Sequence, residues 1–82
     1  MRIVWDERKR LANIAKHNLD FAALDEAFLA NSVITMGKRG RLIAVGRSAA
    51  GDILVVFIRL GSEAISVISM RFASRKERQL IK

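Results

Sequence analysis

Cysteine, proline and tyrosine are absent from this chain of 82 residues, and histidine occurs once. Without cysteine the chain has no disulfide, no thiolate metal ligand and no cysteine nucleophile. A single histidine cannot form a histidine-rich zinc site, and it leaves only one candidate for the base of a Ser-His-Asp triad. We therefore expect a protein without a metal or another cofactor.

Long apolar runs are also missing. The longest, residues 53–58, has six residues, whereas a membrane-spanning helix needs about 20. The N-terminus is charged from its second residue and lacks the apolar stretch of a signal peptide. These features favour a cytoplasmic protein without a membrane segment.

The charge of the chain is strongly unbalanced. Fifteen Lys and Arg face eight Asp and Glu, for a net charge of +7, while 51% of the residues are hydrophobic. That apolar content is enough for one compact core, so residues 1–82 are expected to form a single domain. Because like charges repel in a compact domain, the excess favours a polyanionic partner, nucleic acid first. For any one cluster of cations, a solvated surface is the alternative.

The first part of the chain predicts a strand and two helices. β-branched and aromatic side chains make residues 1–5 strand-like, and Asp6 is a typical helix N-cap. The helix predicted over residues 7–17 has an apolar stripe of Leu11, Ile14 and Ala15, and Asn18 would end it in a left-handed conformation. Asp20 then predicts the start of a second helix over residues 21–29.

The rest of the chain is strand-like, with glycine-containing turns. The predicted strands are residues 32–36, 41–47, 53–60 and 64–70. Short turns favour hairpins, and the uninterrupted apolar run of residues 53–58 predicts a central strand covered on both faces. Ser74 and Glu77 have capping-box spacing and predict a helix over residues 75–82. The expected fold is α+β: two N-terminal helices on a mainly antiparallel sheet of four to five strands, with a short C-terminal helix.

The cations form three clusters along the sequence. These are Arg8, Lys9, Arg10 and Lys16; then Lys38, Arg39, Arg41 and Arg47 around the first predicted hairpin; then Arg71, Arg75, Lys76, Arg78 and Lys82. We expect Lys9, Lys38, Arg39, Arg41 and Arg75 to bind RNA phosphates through a salt-dependent contact that does not depend on base sequence.

Two arginines are the leading candidates for chemistry. RNA cleavage without a metal requires stabilisation of the charged phosphorane, which positioned cations provide. Arg47 and Arg71 each offer a rigid bidentate donor set for a phosphate. Period-two counting places Arg71 on one strand face with Ile65, Val67 and Ser69. Lys16 and His17 are secondary candidates, although a histidine at a helix C-terminus also commonly serves only the helix dipole.

An ordered set of short motifs runs through almost the whole chain. Its first half contains Trp5-Asp6-Glu7, Lys9, Asn13, Lys16-His17, Phe21 and Phe28; its second half contains Gly46-Arg47-Ser48, Leu54-Val55-Val56-Phe57 and residues 68–73 with Glu77-Arg78. Taken together, these motifs resemble the BrnT toxin family. The chain departs from that pattern at Asn18, where glycine is usual, and at Met70 and Phe72 around Arg71.

The resemblance implies a RelE-like fold and a toxin of a type II toxin–antitoxin system. The implied activity is metal-independent cleavage of RNA that inhibits translation, with Arg47 and Arg71 as transition-state stabilisers. The implied partner is a BrnA-like antitoxin with a ribbon-helix-helix part, in a 2:2 heterotetramer that binds operator DNA through the antitoxin. Two alternatives stay open: a non-catalytic nucleic-acid-binding module, and a degenerate toxin retained as the antitoxin's partner.

Overall fold

A computed structural model describes all 82 residues. The elements in chain order are β1 (Arg2–Trp5), α1 (Glu7–His17), a 3₁₀ turn (Phe21–Ala23), α2 (Glu26–Ala30), β2 (Val33–Met36), β3 (Leu42–Ser48), β4 (Gly51–Leu60), β5 (Ala64–Phe72), α3 (Arg75–Arg78) and a final 3₁₀ turn (Gln79–Ile81). The α+β class, the sheet and the short C-terminal helix are confirmed.

Helix α1 has the ends that the sequence predicts but a different buried face. The Asp6 carboxylate accepts a hydrogen bond from the Arg8 amide at 2.8 Å, and Asn18 ends the helix at φ 58°. The predicted apolar stripe is wrong, because Leu11 is 57% exposed while Asn13 is buried. The helix thus packs with the face that carries Asn13, which lies on the other side of α1 from Leu11.

The second predicted helix is wrong as a single element. Asp20 caps only the 3₁₀ turn, through the Ala22 amide at 2.9 Å, and Leu24 then adopts an extended conformation. Asp25 starts α2 separately by accepting from the Phe28 amide at 2.8 Å. The second aspartate therefore offers a competing N-cap, and the extended Leu24 allows the chain to change direction before α2 begins.

The five strands form one sheet in the order β1-β5-β4-β3-β2. Strands β2 to β5 are antiparallel neighbours, and β1 lies parallel to β5 at one edge. β4 is central and is covered on both faces, as predicted. The helix face, which α1, the first 3₁₀ turn and α2 cover, holds the larger core, with Phe21, Phe28, Val55 and Met70 among its members. The C-terminal face holds a smaller cluster of Val45, Leu54 and Ala73 against Ile81.

A β-bulge in β5 changes which face its last residues occupy. Val56 of β4 lies opposite Ser69, but the next residue, Phe57, lies opposite Val67, so Ile68 is an extra residue. Before the bulge, Val67 belongs to the core of the helix face. After it, Arg71 lies opposite Leu54, on the C-terminal face. The prediction that Arg71 shares a face with Ile65 and Val67 is therefore wrong, because period-two counting does not include the extra residue.

Candidate functional site

The two arginines selected from the sequence lie on the same face and at the same end of the sheet. Arg47 of β3 is opposite Asp52 of β4, and Arg71 of β5 is opposite Leu54. Asp52 and Leu54 are two residues apart in one strand, so their neighbours Arg47 and Arg71 share the C-terminal face. The structure therefore places the pair at one end of one face, near the β3–β4 turn, on two strands that lie about 10 Å apart on either side of β4.

Arg71 is held by a carboxylate. Its Nη1 and Nη2 each donate to one oxygen of Glu77 at 2.8 Å, and Nη1 also donates to the Phe72 carbonyl at 3.2 Å. The hydrogen bonds that Arg71 donates to Glu77 raise the pKa of Arg71 and lower the pKa of Glu77 to about 2. Three of the five guanidinium N–H groups are thus engaged, which leaves Nε–H and one Nη2–H for another partner.

Arg47 is more open to solvent. Its Nη2 donates to the Ile81 carbonyl at 3.0 Å, and its Nε lies 3.9 Å from the Asp52 carboxylate. The side chain is nevertheless 72% exposed. Both arginines contact residues 74–82, which cross the C-terminal face of the sheet. That segment also adds four exposed cations at this end: Arg75, Lys76, Arg78 and Lys82.

The last turn of α1 reaches the same end of the sheet on its helix face. A cavity of about 600 Å³ lies between residues 18–31 and the β3–β4 turn. Asn18 and Leu19, which directly follow His17, line this cavity together with Arg47. Lys16 is exposed and His17 is half-buried, and neither lines the cavity itself. The structure therefore places Lys16 and His17 next to this cavity, on the helix face of the sheet. Arg47, at the end of β3, borders the cavity as well, whereas Arg71 lies on the C-terminal face.

The cations predicted to cluster around the first hairpin lie at opposite ends of β3. Lys38 and Arg39 lie in the β2–β3 turn, and Arg41 follows Gly40 just before β3. Arg47 is six residues further on in the extended strand, about 20 Å away at about 3.4 Å per residue. Lys9 is exposed on α1, whereas its neighbour Arg10 is bound to the carboxylates of Asp20 and Glu7, each at 2.8 Å. The grouping of Arg47 with Lys38, Arg39 and Arg41 is therefore wrong in space, although these residues are close in sequence.

Comparison with known proteins decides the family. Residues 5–77 match the family model described as "Ribonuclease toxin, BrnT, of type II toxin-antitoxin system". The chain belongs to the BrnT family. It is also similar to a crystal structure of the ribonuclease toxin BrnT of Brucella abortus, with 50% sequence identity over 92% of this chain and 99% of that one, and a TM-score of 0.85. No curated protein matches the chain.

The BrnT match includes both arginines, Lys16, His17 and Glu77, and it ends before Ile81. The hydrogen bond from Arg47 to the Ile81 carbonyl is therefore made to a residue outside the matched range. The bidentate pair of Arg71 and Glu77 lies inside it. Membership of a type II toxin family also means that an antitoxin partner is to be expected for this chain.

Asn13, one of the motif residues, has a structural role next to the site. It is 6% exposed; its Nδ2 donates to the Leu19 carbonyl, and its Oδ1 accepts from the Met70 amide, both at 3.0 Å. The two bonds fix the end of α1 to β5 between the bulge and Arg71. A polar residue at helical spacing from Arg10 and His17 was the available signal, but a sequence alone does not show that this face is the buried one.

No group of three or more His, Cys, Asp or Glu side chains is arranged so that it could hold a metal ion. None of the helices has both the length and the apolar character that crossing a membrane requires.

Proposed function

We propose that this BrnT-family chain is an endoribonuclease that works without a metal ion and inhibits translation by cleaving RNA in the cytoplasm. The observation that carries the proposal is the placement of Arg47 and Arg71 on one sheet face, on either side of β4. Two rigid guanidinium groups at one sheet end suit a phosphodiester, which offers several oxygen acceptors to planar donors.

The two arginines have different proposed roles because their surroundings differ. Arg47 is 72% exposed and makes one hydrogen bond to a carbonyl, so it is free to contact the scissile phosphate first. Arg71 is held in one orientation by Glu77 and retains free N–H donors. A preoriented cation of this kind stabilises the charge that develops on the phosphorane, because it does not have to reorganise during the reaction.

Proton transfer requires other groups than Glu77. Its pKa of about 2 keeps the carboxylate ionised and makes it a weak base near neutral pH. Histidine is the side chain that most often transfers protons in enzymes, and His17 directly precedes residues that line the cavity beside Arg47. We propose His17 as the candidate for proton transfer, with Lys16 as the neighbouring cation; both lie on the cavity side of Arg47, and Arg71 lies on the opposite face of the sheet.

The remaining cations are proposed to bind the RNA backbone away from the cleaved bond. Arg75 opens α3 next to Arg71, and Lys9 lies on the exposed side of α1. Lys38, Arg39 and Arg41 are about 20 Å from Arg47, so they would contact only an RNA that extends along the sheet. Such phosphate contacts raise affinity without selecting a base sequence.

The partner is proposed to be a BrnA-like antitoxin with a ribbon-helix-helix part. Family membership supports an antitoxin for this chain. We propose a 2:2 heterotetramer that binds operator DNA through the antitoxin, so that the complex represses its own promoter. The net charge of +7 supports an acidic contact surface on that antitoxin.

Cleavage of a long RNA by the purified chain tests the activity. We expect the wild type to cut in excess EDTA and Arg47→Ala to be slower by about 100-fold, because a transition-state donor is lost. Arg8→Ala is the matched control, since Arg8 is an exposed cation on α1 with no place in the site. Equal cleavage by wild type and Arg47→Ala would contradict the proposal. Binding of RNA without cleavage would favour a non-catalytic module, and antitoxin binding with neither would favour a degenerate toxin.

A further inference from the structure

The two edges of the sheet are protected to different degrees. β1 forms one edge, and three of its four residues are half-buried. β2 forms the other edge and pairs only with β3; its last three residues, Ile34, Thr35 and Met36, are exposed. Edge strands usually carry lysine, proline or a bulge that prevents pairing with another chain. The four residues of β2 include no charge and no proline, so its outer row of backbone donors and acceptors is unprotected.

Exposed apolar side chains collect beside this edge. Ile34 and Met36 lie opposite Ala44 and Leu42, on the helix face of the sheet, and are 44% and 84% exposed. Met1 is 52% exposed and lines a hollow of about 110 Å³ together with Ile34. The other apolar residues of the hollow are Leu29, Phe57, Ala64 and Ile65. Leu29, Phe57 and Ile65 are buried, so the exposed apolar surface next to the free edge is that of Met1, Ile34 and Met36.

The surroundings of this surface are positively charged. Lys38, Arg39 and Arg41 follow β2 directly, and Arg59 lines the hollow. All four are exposed, and none forms an ion pair. Of the nearby carboxylates, Glu26 lies 3.7 Å from the N-terminal ammonium, and Glu63 is exposed in the β4–β5 turn. The charge of these cations is thus not neutralised within the chain.

We propose that the docking surface formed by the β2 edge, Met1, Ile34 and Met36 binds an extended, acidic and apolar segment of the antitoxin. The segment adds a sixth strand beside β2, so that backbone hydrogen bonds supply affinity and alternate side chains supply selectivity. Its apolar side chains cover Ile34 and Met36, and its carboxylates face the cations of the β2–β3 turn. The inference rests on the proposed function only in taking an antitoxin as the partner.

The charge argues against a second copy of this chain as the occupant. Pairing two β2 edges would join two chains that each carry a net charge of +7, and like charges across an interface oppose association. An acidic partner removes that repulsion. Since the β2–β3 turn and Arg47 lie at opposite ends of β3, a change on the docking surface is expected to separate antitoxin binding from RNA cleavage.

Titration with the antitoxin, produced from the reading frame beside this gene, tests the proposal. We expect Met36→Lys and Ile34→Lys to raise the dissociation constant by about tenfold or more, because a buried apolar contact is replaced by a charge. Leu11→Lys is the matched control, because Leu11 is 57% exposed on α1, away from β2. This variant is expected to bind the antitoxin with the affinity of the wild type. Because Met36 is highly exposed, its replacement is expected to leave the stability of the fold unchanged. Urea denaturation checks this, with the same midpoint expected for the variant and the wild type.

The same variants distinguish antitoxin binding from RNA cleavage. Free Met36→Lys is expected to cleave RNA as wild type does. If the wild type itself does not cleave RNA, that result contradicts the proposed activity and leaves the docking surface unaffected. Unchanged antitoxin affinity in both β2 variants would overturn the docking surface. A dimer of the free chain by light scattering that Met36→Lys dissociates would also overturn it, because β2 would then serve self-association.

Discussion

Arg71 and Glu77 are joined by two hydrogen bonds of 2.8 Å, from Nη1 to Oε1 and from Nη2 to Oε2. The same Glu77 carboxylate accepts from the Ser74 amide at 2.8 Å and completes the capping box that starts α3. One side chain therefore both begins the C-terminal helix and orients the arginine at the end of β5. This coupling explains how a helix of only four residues is held against the sheet.

The pair makes stability depend on pH in the acid range. The pKa of Glu77 is about 2 in the folded protein, below the ordinary 4.5, chiefly because of the hydrogen bonds from Arg71. A depressed pKa contributes stability in full above the unfolded value, and this contribution is lost as the pH falls towards the folded value. We expect the free energy of unfolding to decrease as the pH falls from 4.5 to about 2, and to decrease less in the Glu77→Gln variant.

Urea denaturation at a series of pH values measures this difference. The hydrogen bond from Arg10 also lowers the pKa of Asp20, so part of the decrease will remain in Glu77→Gln. Glu63→Gln, which removes an exposed carboxylate outside every ion pair, is the control and is expected to follow wild type. Parallel curves for wild type and Glu77→Gln would show that the pair does not contribute.

Breaking the pair from either side separates catalysis from structure. We expect Arg71→Ala to lose about 100-fold or more in RNA cleavage, because the cation itself is removed. Glu77→Gln leaves the guanidinium in place and is expected to keep more activity. Both variants should remain folded by circular dichroism, because an ion pair that is partly exposed contributes about 1 kcal/mol or less. Equal losses of cleavage would instead make Arg71 a residue that only holds α3.

The buried amide of Asn13 is expected to matter for stability more than any exposed polar side chain. Asn13→Ala leaves the Met70 amide and the Leu19 carbonyl without their partner, at about 1–3 kcal/mol for each buried group. Asn31→Ala is the control, because its amide also bonds a carbonyl but is exposed. Urea denaturation measures both; a loss for Asn13→Ala no larger than for Asn31→Ala would contradict the assigned role.

Gly46 is required by close packing rather than by its backbone angle. A Cβ there would meet the Ser32 Oγ and would lie 2.9 Å from Cε1 of Phe28. We expect Gly46→Ala to destabilise the protein by about 1–3 kcal/mol, the usual range for overpacking. The double variant with Ser32→Ala should recover part of the loss, since only the Phe28 ring still obstructs. Full stability of Gly46→Ala in thermal unfolding would be inconsistent with this packing.

Local features of the fold were predictable because their causes are local. The N-cap at Asp6, the left-handed Asn18 and the capping box of Ser74 and Glu77 depend on residues a few positions apart. The split of the second helix is not visible in the sequence, because Asp20 and Asp25 are both capable N-caps. The break between them at Leu24 depends on how Phe21 and Phe28 reach the core.

The candidate site was only partly predictable for the same reason. Sequence motifs selected Arg47 and Arg71, but the bulge at Ile68 decides the face on which Arg71 lies, and a bulge exists only in the pairing of β5 with β4. The pairing of Arg71 with Glu77, rather than with solvent, also depends on how α3 turns back onto the sheet.

By itself, the sequence determined the class of fold, the cationic character of the surface, the scarcity of other reactive side chains and the resemblance to the BrnT family. These follow from composition and from short-range order along the chain. Only the tertiary structure decided that Asn13 is the buried residue of α1, that β2 is an unprotected edge, and that the cations of the β2–β3 turn lie far from Arg47. Each of these depends on which strands pair and which helix face meets the sheet, and such contacts join residues that are distant in sequence.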